Sequence, residues 1–200
     1  MNSGIKNVIC LTAITLVAGI GLGYVYDITK EPIAQMEENT KLAAYQKVFP
    51  EAAGFEDINE ADVPSDENGF EGISGVQIDS AVAAVDASSQ RLGYVINVTS
   101  HEGYGGDISI SMGIDDAGTV KGIEILSISE TAGLGMKAKD EKFRDQFKNK
   151  NVTMFTYTKT GASADFEIDA ISGASITTKA VTNAVNAGLA YYEMLGGRSE

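Results

Sequence analysis

The chain has 200 residues, with 15 basic and 28 acidic side chains and a formal charge of −13. So acidic a protein is not expected to bind nucleic acid, whose phosphates are held by lysine and arginine. Its single cysteine, Cys10, and single histidine, His101, exclude an intramolecular disulfide, a thiolate-held iron–sulfur cluster, a four-cysteine zinc site, a histidine-rich metal site and two-histidine haem ligation within this chain. Redox chemistry would therefore need an organic cofactor or a partner, while the 44% hydrophobic content suits a globular core and argues against disorder throughout.

From Val8 to Tyr26 the chain carries no charge. That run approaches the ~20 apolar residues needed to cross the hydrocarbon core of a bilayer. Lys6 precedes it, and Asp27, Glu31, Glu37 and Glu38 follow with Lys30 among them. The positive-inside rule then predicts a single-pass anchor in the cell membrane, N-terminus cytoplasmic and the remaining chain extracytoplasmic. A cleaved signal peptide is the competing reading, with Val17-Ala-Gly19 as its cleavage site. The retained anchor is preferred because the run exceeds a signal core and ends in Tyr24 and Tyr26, as an interfacial belt does. Cys10 follows Asn7-Val8-Ile9, which is no lipobox, so it reads as a small buried hydrophobe. Gly19 and Gly23 have the spacing that lets two membrane helices approach closely, although an incidental glycine pair explains them equally well.

Asp27 to Phe49 reads as an amphipathic helix through Ile33, Met36, Leu42 and Tyr45, stopped by Pro50. From Pro50 to Gln90 there is no lysine or arginine, ten acids fall between Glu51 and Asp86, and Pro64 interrupts the segment. A solvated insertion is favoured there over an acidic docking face. Strand patterns follow at Ala81–Val85, Leu92–Thr99, Asp107–Ile114 and Val120–Ser127, with turn chemistry at Asp115-Asp-Ala-Gly118. The alternation in the second and third predicts an antiparallel sheet with one buried face. Gly103-Tyr104-Gly-Gly106 lies between two strands, where Tyr104 suits stacking on a flat ring and a plain hairpin turn is an equal explanation. Asn97-Val-Thr99 fits a glycosylation sequon, but a strand interior makes it meaningless.

Glu130-Thr131-Ala-Gly133-Leu134-Gly135-Met136-Lys137 places two glycines around one leucine, allowing the backbone to fold tightly beside a flat ligand. Lys137 to Lys150 reads as a solvent-facing helix with six basic and three acidic residues. Phe166 and Ile168 then mark a short strand, and Asp169-Ala-Ile-Ser172-Gly173-Ala174-Ser175-Ile-Thr177-Thr178 leads at once into a helix-period pattern. Strand, small-residue turn and helix N-terminus present unpaired amides and the positive end of the helix dipole to an anion, with hydroxyls beside them. An ordinary Ser/Thr-capped helix is the alternative. The last helix, from about Ser175 to Leu195, is predicted to bury Val181, Ala184, Val185, Leu189 and Tyr192 and to expose Thr182, Asn183, Asn186 and Glu193. The result is an α+β chain: an anchor over 1–27, a helical linker and acidic segment over 28–90, and a core over 91–200 whose sheet begins near 81.

Ser172-Gly-Ala-Ser-Ile-Thr177, with Asp169 ahead of it, resembles the flavinylation motif of the FMN-binding domain family. The segment Glu130 to Lys137 resembles the second signature of that family, in the expected order some forty residues upstream. Ser175 and Ala132 depart from the commonest residues, Thr and Pro. The family includes the G subunit of the Rnf complex and the C subunit of the sodium-translocating NADH:quinone oxidoreductase. The resemblance implies an FMN joined by a flavin transferase to Thr177 through a phosphoester. It places Ser172, Gly173, Ala174, Ser175 and Thr178 near the phosphate, and Glu130, Thr131, Gly133, Leu134, Gly135 and Tyr104 around the ring. Lys137 would serve as counter-charge. The plan of anchor, acidic segment, sheet and both flavin segments is most similar to the Rnf-type subunit. It implies a one-electron carrier working with other membrane and peripheral subunits that couple ferredoxin and NAD⁺ to ion movement. A C-type quinone-oxidoreductase subunit, a stand-alone extracytoplasmic flavoprotein, part of a flavin-dependent reductase acting on a small acid, and a cofactor-free binding module are the other readings.

Overall fold

A computed structural model describes residues 3–58, 70 and 72–197. The acidic stretch containing Pro64 lies largely outside the described residues. The chain divides into two compact units, one through Thr40 and one from Lys41 onward. Helix α1 (Ser3–Val48) is long and apolar enough to cross a membrane by length and composition, and it continues through Pro32. It ends just before Pro50, as the sequence predicts, but Ile33, Met36 and Leu42 are exposed, and only Ala44, Tyr45 and Val48 are buried.

In the second unit, β1 (Gly54–Asp57), β2 (Val76–Val85), β3 (Arg91–Ser100), β4 (Ile108–Asp115) and β5 (Val120–Ile128) form one antiparallel sheet in chain order. Four of these strands match the predicted runs closely, β2 starting earlier. β1 escapes the sequence reading, because its four residues are too few to show a period. β3 and β4 are in register through pairs such as Ile96↔Met112 and Val98↔Ile110. These side chains form one wall of the main core.

The sheet has two covered faces, which corrects the expectation of one. Tyr45, Val48, Phe49 and Ala52 pack with Val82, Ala84 and Val95 on the second face. Asn97 on that face is fully buried because its amide donates to the Tyr45 hydroxyl and to Ser80 Oγ, while Ser111 Oγ donates to its carbonyl. Burial so complete also removes Asn97 from use as a glycan acceptor.

The main core is closed by helix α3 (Ser175–Met194), where Val181, Ala184, Val185, Leu189 and Tyr192 are all buried as predicted. Val181, Val185 and Leu189 each contribute about 1.5–3 kcal/mol on full burial. Two residues assigned to the polar face are buried instead. Asn186 donates to the Phe155 carbonyl and accepts from the Phe155 amide, and Thr182 donates to the Thr178 carbonyl. Polar side chains that satisfy themselves on backbone groups can be buried at little cost, so the hydropathy pattern misplaces them.

Between β5 and α3 the chain turns through a 3₁₀ segment (Gly135–Lys139), a one-turn helix α2 (Glu141–Arg144) and a second 3₁₀ turn (Asp145–Phe147). The single helix predicted over 137–150 is thus broken into three pieces. Phe143 and Phe147 are buried between them, and Phe147 stacks edge-on against Phe155. A two-stranded parallel sheet of β6 (Thr156–Thr158) and β7 (Glu167–Asp169) then delivers the chain to the turn before α3.

Candidate functional site

The turn Ala170–Ala174 joins β7 to α3 and is fixed from both sides. The Asp169 amide donates to Gln146 Oε1, and Asp169 Oδ1 accepts from the Ala162 amide, so the acid at the head of the motif is a structural tie. Thr178, fully buried, accepts from the Ile171 amide at 3.0 Å and donates to the Ala174 carbonyl at 2.9 Å. Its hydroxyl is therefore fully engaged.

Thr177, one residue earlier, differs. The residue is only 1% exposed, yet its hydroxyl has no hydrogen-bond partner among the described residues and opens into a cleft of about 630 Å³. That size lies within the roughly 300–1,000 Å³ of small-molecule and cofactor pockets. Tyr104, Glu130, Thr131, Leu134, Gly135, Gly173, Ala174, Ser175, Ile176 and Thr177 line it. Both segments singled out in the sequence therefore meet at one place, with the Tyr104 turn at the rim. Tyr104, Leu134 and Ile176 expose large apolar surfaces there.

The N-terminus of α3 is not capped by a side chain, because Ala174 occupies the capping position. The backbone amides of Ser175, Ile176 and Thr177 have no partner among the described residues, and the first turn contains no acid. Ser/Thr capping is thereby ruled out, and the free amides and helix dipole point to an anion.

Two glycines make the approach possible. A Cβ on Gly135 would lie 2.7 Å from Thr177 Oγ1 and 2.7 Å from Glu130 Oε2. Gly173 has φ of +78°, a left-handed conformation that side chains disfavour, and its missing Cβ would meet Leu134 Cδ2 at 3.1 Å. Gly133, also at positive φ, makes the turn in which the Leu134 amide donates to the Thr131 carbonyl. It shapes the cleft without lining it. Glu130, nine-tenths buried, accepts from the Tyr104 amide at 2.7 Å and the Gly105 amide at 3.3 Å.

Ser172 and Lys137 are not in this cleft. They line a separate one of about 270 Å³ with Asp140, Lys142, Gln146 and Asp169. Two further contributions escape the sequence reading. Ile176 looks there like one more apolar helix residue. Glu102 clamps the Tyr104 loop to α3 by accepting from Asn183 Nδ2 at 3.0 Å and pairing with Lys179 at 3.2 Å, and it also accepts from Ser74 Oγ. The Lys179 ammonium holds the Glu102 carboxyl below its ordinary value, ahead of the contributions of Ser74 and Asn183. No sequence period marks residues eighty positions apart as partners.

Comparison with known proteins agrees with this geometry. The FMN-binding domain signature matches residues 103–190, which span every lining residue of the cleft. The chain is 33% identical to the G subunit of the Na(+)-translocating ferredoxin:NAD(+) oxidoreductase complex of Acetobacterium woodii, over 92% of this chain and 89% of that protein. It is 29% identical to the G subunit of the ion-translocating oxidoreductase complex of Methanosarcina acetivorans, over 93% of each chain. Among solved structures, NqrC of Shewanella oneidensis has the same fold, with a TM-score of 0.53 at 18% identity, covering 76% of this chain and 85% of that one. The C subunit of the Na(+)-translocating NADH-quinone reductase of Parabacteroides distasonis gives 0.51 at 26% identity, covering 60% and 63%.

Proposed function

The chain belongs to the family of G subunits of ion-translocating oxidoreductase complexes, and on that premise we propose that it is a membrane-anchored electron carrier with FMN covalently attached to Thr177. The observation that carries the attachment site is the unpartnered Thr177 hydroxyl, recessed in the cleft beside three free amides. The cleft also fits the cofactor in kind: apolar at Leu134 and Ile176, aromatic at Tyr104, and kept open by the absence of a Cβ on Gly135.

When bound, FMN supplies a group that takes up and passes on single electrons. The chain's residues hold and tune it. The amides of Ser175, Ile176 and Thr177 receive the phosphate charge at the helix N-terminus. Leu134 and Ile176 cover part of the ring and exclude water, and the Glu102 clamp keeps the Tyr104 loop against α3. A phosphoester to Thr177 keeps the carrier in place on a domain that, once outside the membrane, has no access to a cytoplasmic flavin pool. Helix α1 serves as anchor, with its N-terminus cytoplasmic by the positive-inside rule. The working partners are the other subunits of an Rnf-type complex, and maturation requires a flavin transferase.

The full chain, coexpressed with a flavin transferase and purified, is expected to be yellow and to bleach and recover on reduction and reoxidation. A colourless protein would favour the cofactor-free binding module. Lys137, which lines the separate cleft with Ser172, acts as a distant counter-charge to the reduced, more negative state. Lys137→Met is therefore expected to lower the reduction potential by about 40 mV, the equivalent of ~1 kcal/mol for one electron. A redox titration with no shift would remove that role from Lys137.

A further inference from the structure

Helix α1 does not end with the run that can cross a membrane. Residues 27–40 continue it for about four turns of ~3.6 residues, and every one of them is exposed. A surface helix draws most of its stability from packing an amphipathic face, and Pro32 weakens this one further, having no N–H to donate to the Ile28 carbonyl. The face is present but uncovered. At about 100° per residue, the five charged side chains of the stretch, Asp27, Lys30, Glu31, Glu37 and Glu38, fall within an arc of ~120°. Ile28, Pro32, Ile33 and Met36 occupy the other side. Thr29 and Thr40 share that side, and their hydroxyls donate to the Val25 and Met36 carbonyls of the same helix at 2.9 and 2.7 Å. Their polar atoms are thus turned onto the helix backbone. Leu22 and Val25 extend the uncharged face into the membrane-length run.

We propose that this uncharged face of α1 is the docking surface for a helix of another membrane subunit that leaves the bilayer beside it. The inference rests on the chain being a subunit of an ion-translocating oxidoreductase complex. Because the face runs on from the membrane-length segment without a break, its partner must lie on both sides of that boundary too. The flanking charge selects the partner's chemistry. Four acids against one lysine give residues 27–40 a charge of −3. The partner helix is therefore apolar where it meets Ile28, Ile33 and Met36, and carries lysine or arginine alongside. The same charge disfavours two other occupants. A helix that lies on a lipid surface has lysine and arginine on its polar face, not a net negative charge. A second copy of this chain, anchored in the same orientation, would set one acidic flank against another.

The test is thiol labelling of single-cysteine full chains, made in a Cys10→Ser background, with a water-soluble maleimide. Each variant is labelled in the complex, purified through a tag on another subunit, and as the isolated chain in the same detergent. Both probe positions, Met36 and Glu38, are exposed, so neither substitution strains folding. Met36→Cys is expected to react at least ~10-fold more slowly in the complex, because a covered thiol reacts only while the interface is open. Glu38→Cys, on the charged face, is expected to react equally fast in both. A companion Met36→Asp should reduce recovery of the chain with the tagged subunit at least ~10-fold, since a buried, unpaired carboxylate is costly. The unit from Lys41 onward should melt as in wild type. Equal labelling rates at Met36, or undiminished recovery of Met36→Asp, would overturn the proposal. So would slowing at both positions, which would mean that the helix is enclosed on all sides. Slow labelling of Met36→Cys in the isolated chain that disappears on dilution would assign the face to a second copy instead. A wild-type chain that copurifies with no other membrane subunit would defeat the complex reading itself.

Discussion

Gly135→Ala is expected to cut flavin loading by about a hundredfold or more while the chain still folds. The added methyl would stand 2.7 Å from Thr177 Oγ1, Glu130 Oε2 and Glu130 Cβ, closer than real carbon contacts allow. Either the hydroxyl or the carboxylate must move, and the hydroxyl is the proposed point of attachment. Overpacking of this kind costs about 1–3 kcal/mol, which a domain with ~5–15 kcal/mol of stability survives. Misplacing a reacting group by about 1 Å costs on the order of 100-fold in rate. The check pairs a loading time course with a thermal melt. Normal loading would show that the close approach of Gly135 to Thr177 has no bearing on the reaction.

Thr178→Val is expected to have the opposite profile, with stability lost and attachment kept. The Thr178 hydroxyl satisfies the buried Ile171 amide and fixes the turn that aims the first turn of α3 into the cleft. Valine fills the same volume but leaves that amide without a partner, at a cost of about 1–3 kcal/mol. At roughly 2–4 °C per kcal/mol for a domain of this size, the melting temperature should drop by several degrees. The folded fraction should still acquire flavin. An unchanged melting temperature would mean that water or another donor replaces the hydroxyl, and that the turn does not depend on Thr178.

The sequence is most informative where a regular period meets an unusual composition. Val8–Tyr26 reads as a membrane-length run because no charge interrupts it. The strands from Ala81 to Ser127 and the helix from Ser175 read from their alternation and helical spacing. The two segments Glu130–Lys137 and Asp169–Thr178 stand out for small residues and hydroxyls, and the fold joins them in one cleft. What stays hidden depends on tertiary partners. Thr182 and Asn186 read as a solvent face, since hydropathy does not register that their polar atoms are satisfied on backbone groups. The second buried face of the sheet requires knowing that Tyr45 to Ala52 folds back onto it. Lys137 and Ser172 are close in sequence to the lining residues but line the separate cleft, because the 3₁₀ turn at Gly135 and the turn at Gly173 redirect the chain. Thr177 and Thr178 are indistinguishable as residue types. They separate only through hydrogen bonds, one hydroxyl being fully engaged and the other free.

The most direct test of covalent flavin on Thr177 is in-gel fluorescence after denaturing electrophoresis of wild type, Thr177→Val and Thr178→Val, each coexpressed with a flavin transferase. A fluorescent band in wild type and Thr178→Val that is absent from a normally folded Thr177→Val is the predicted result. A fluorescent Thr177→Val band, or a dark wild type beside a labelled control protein, would contradict it.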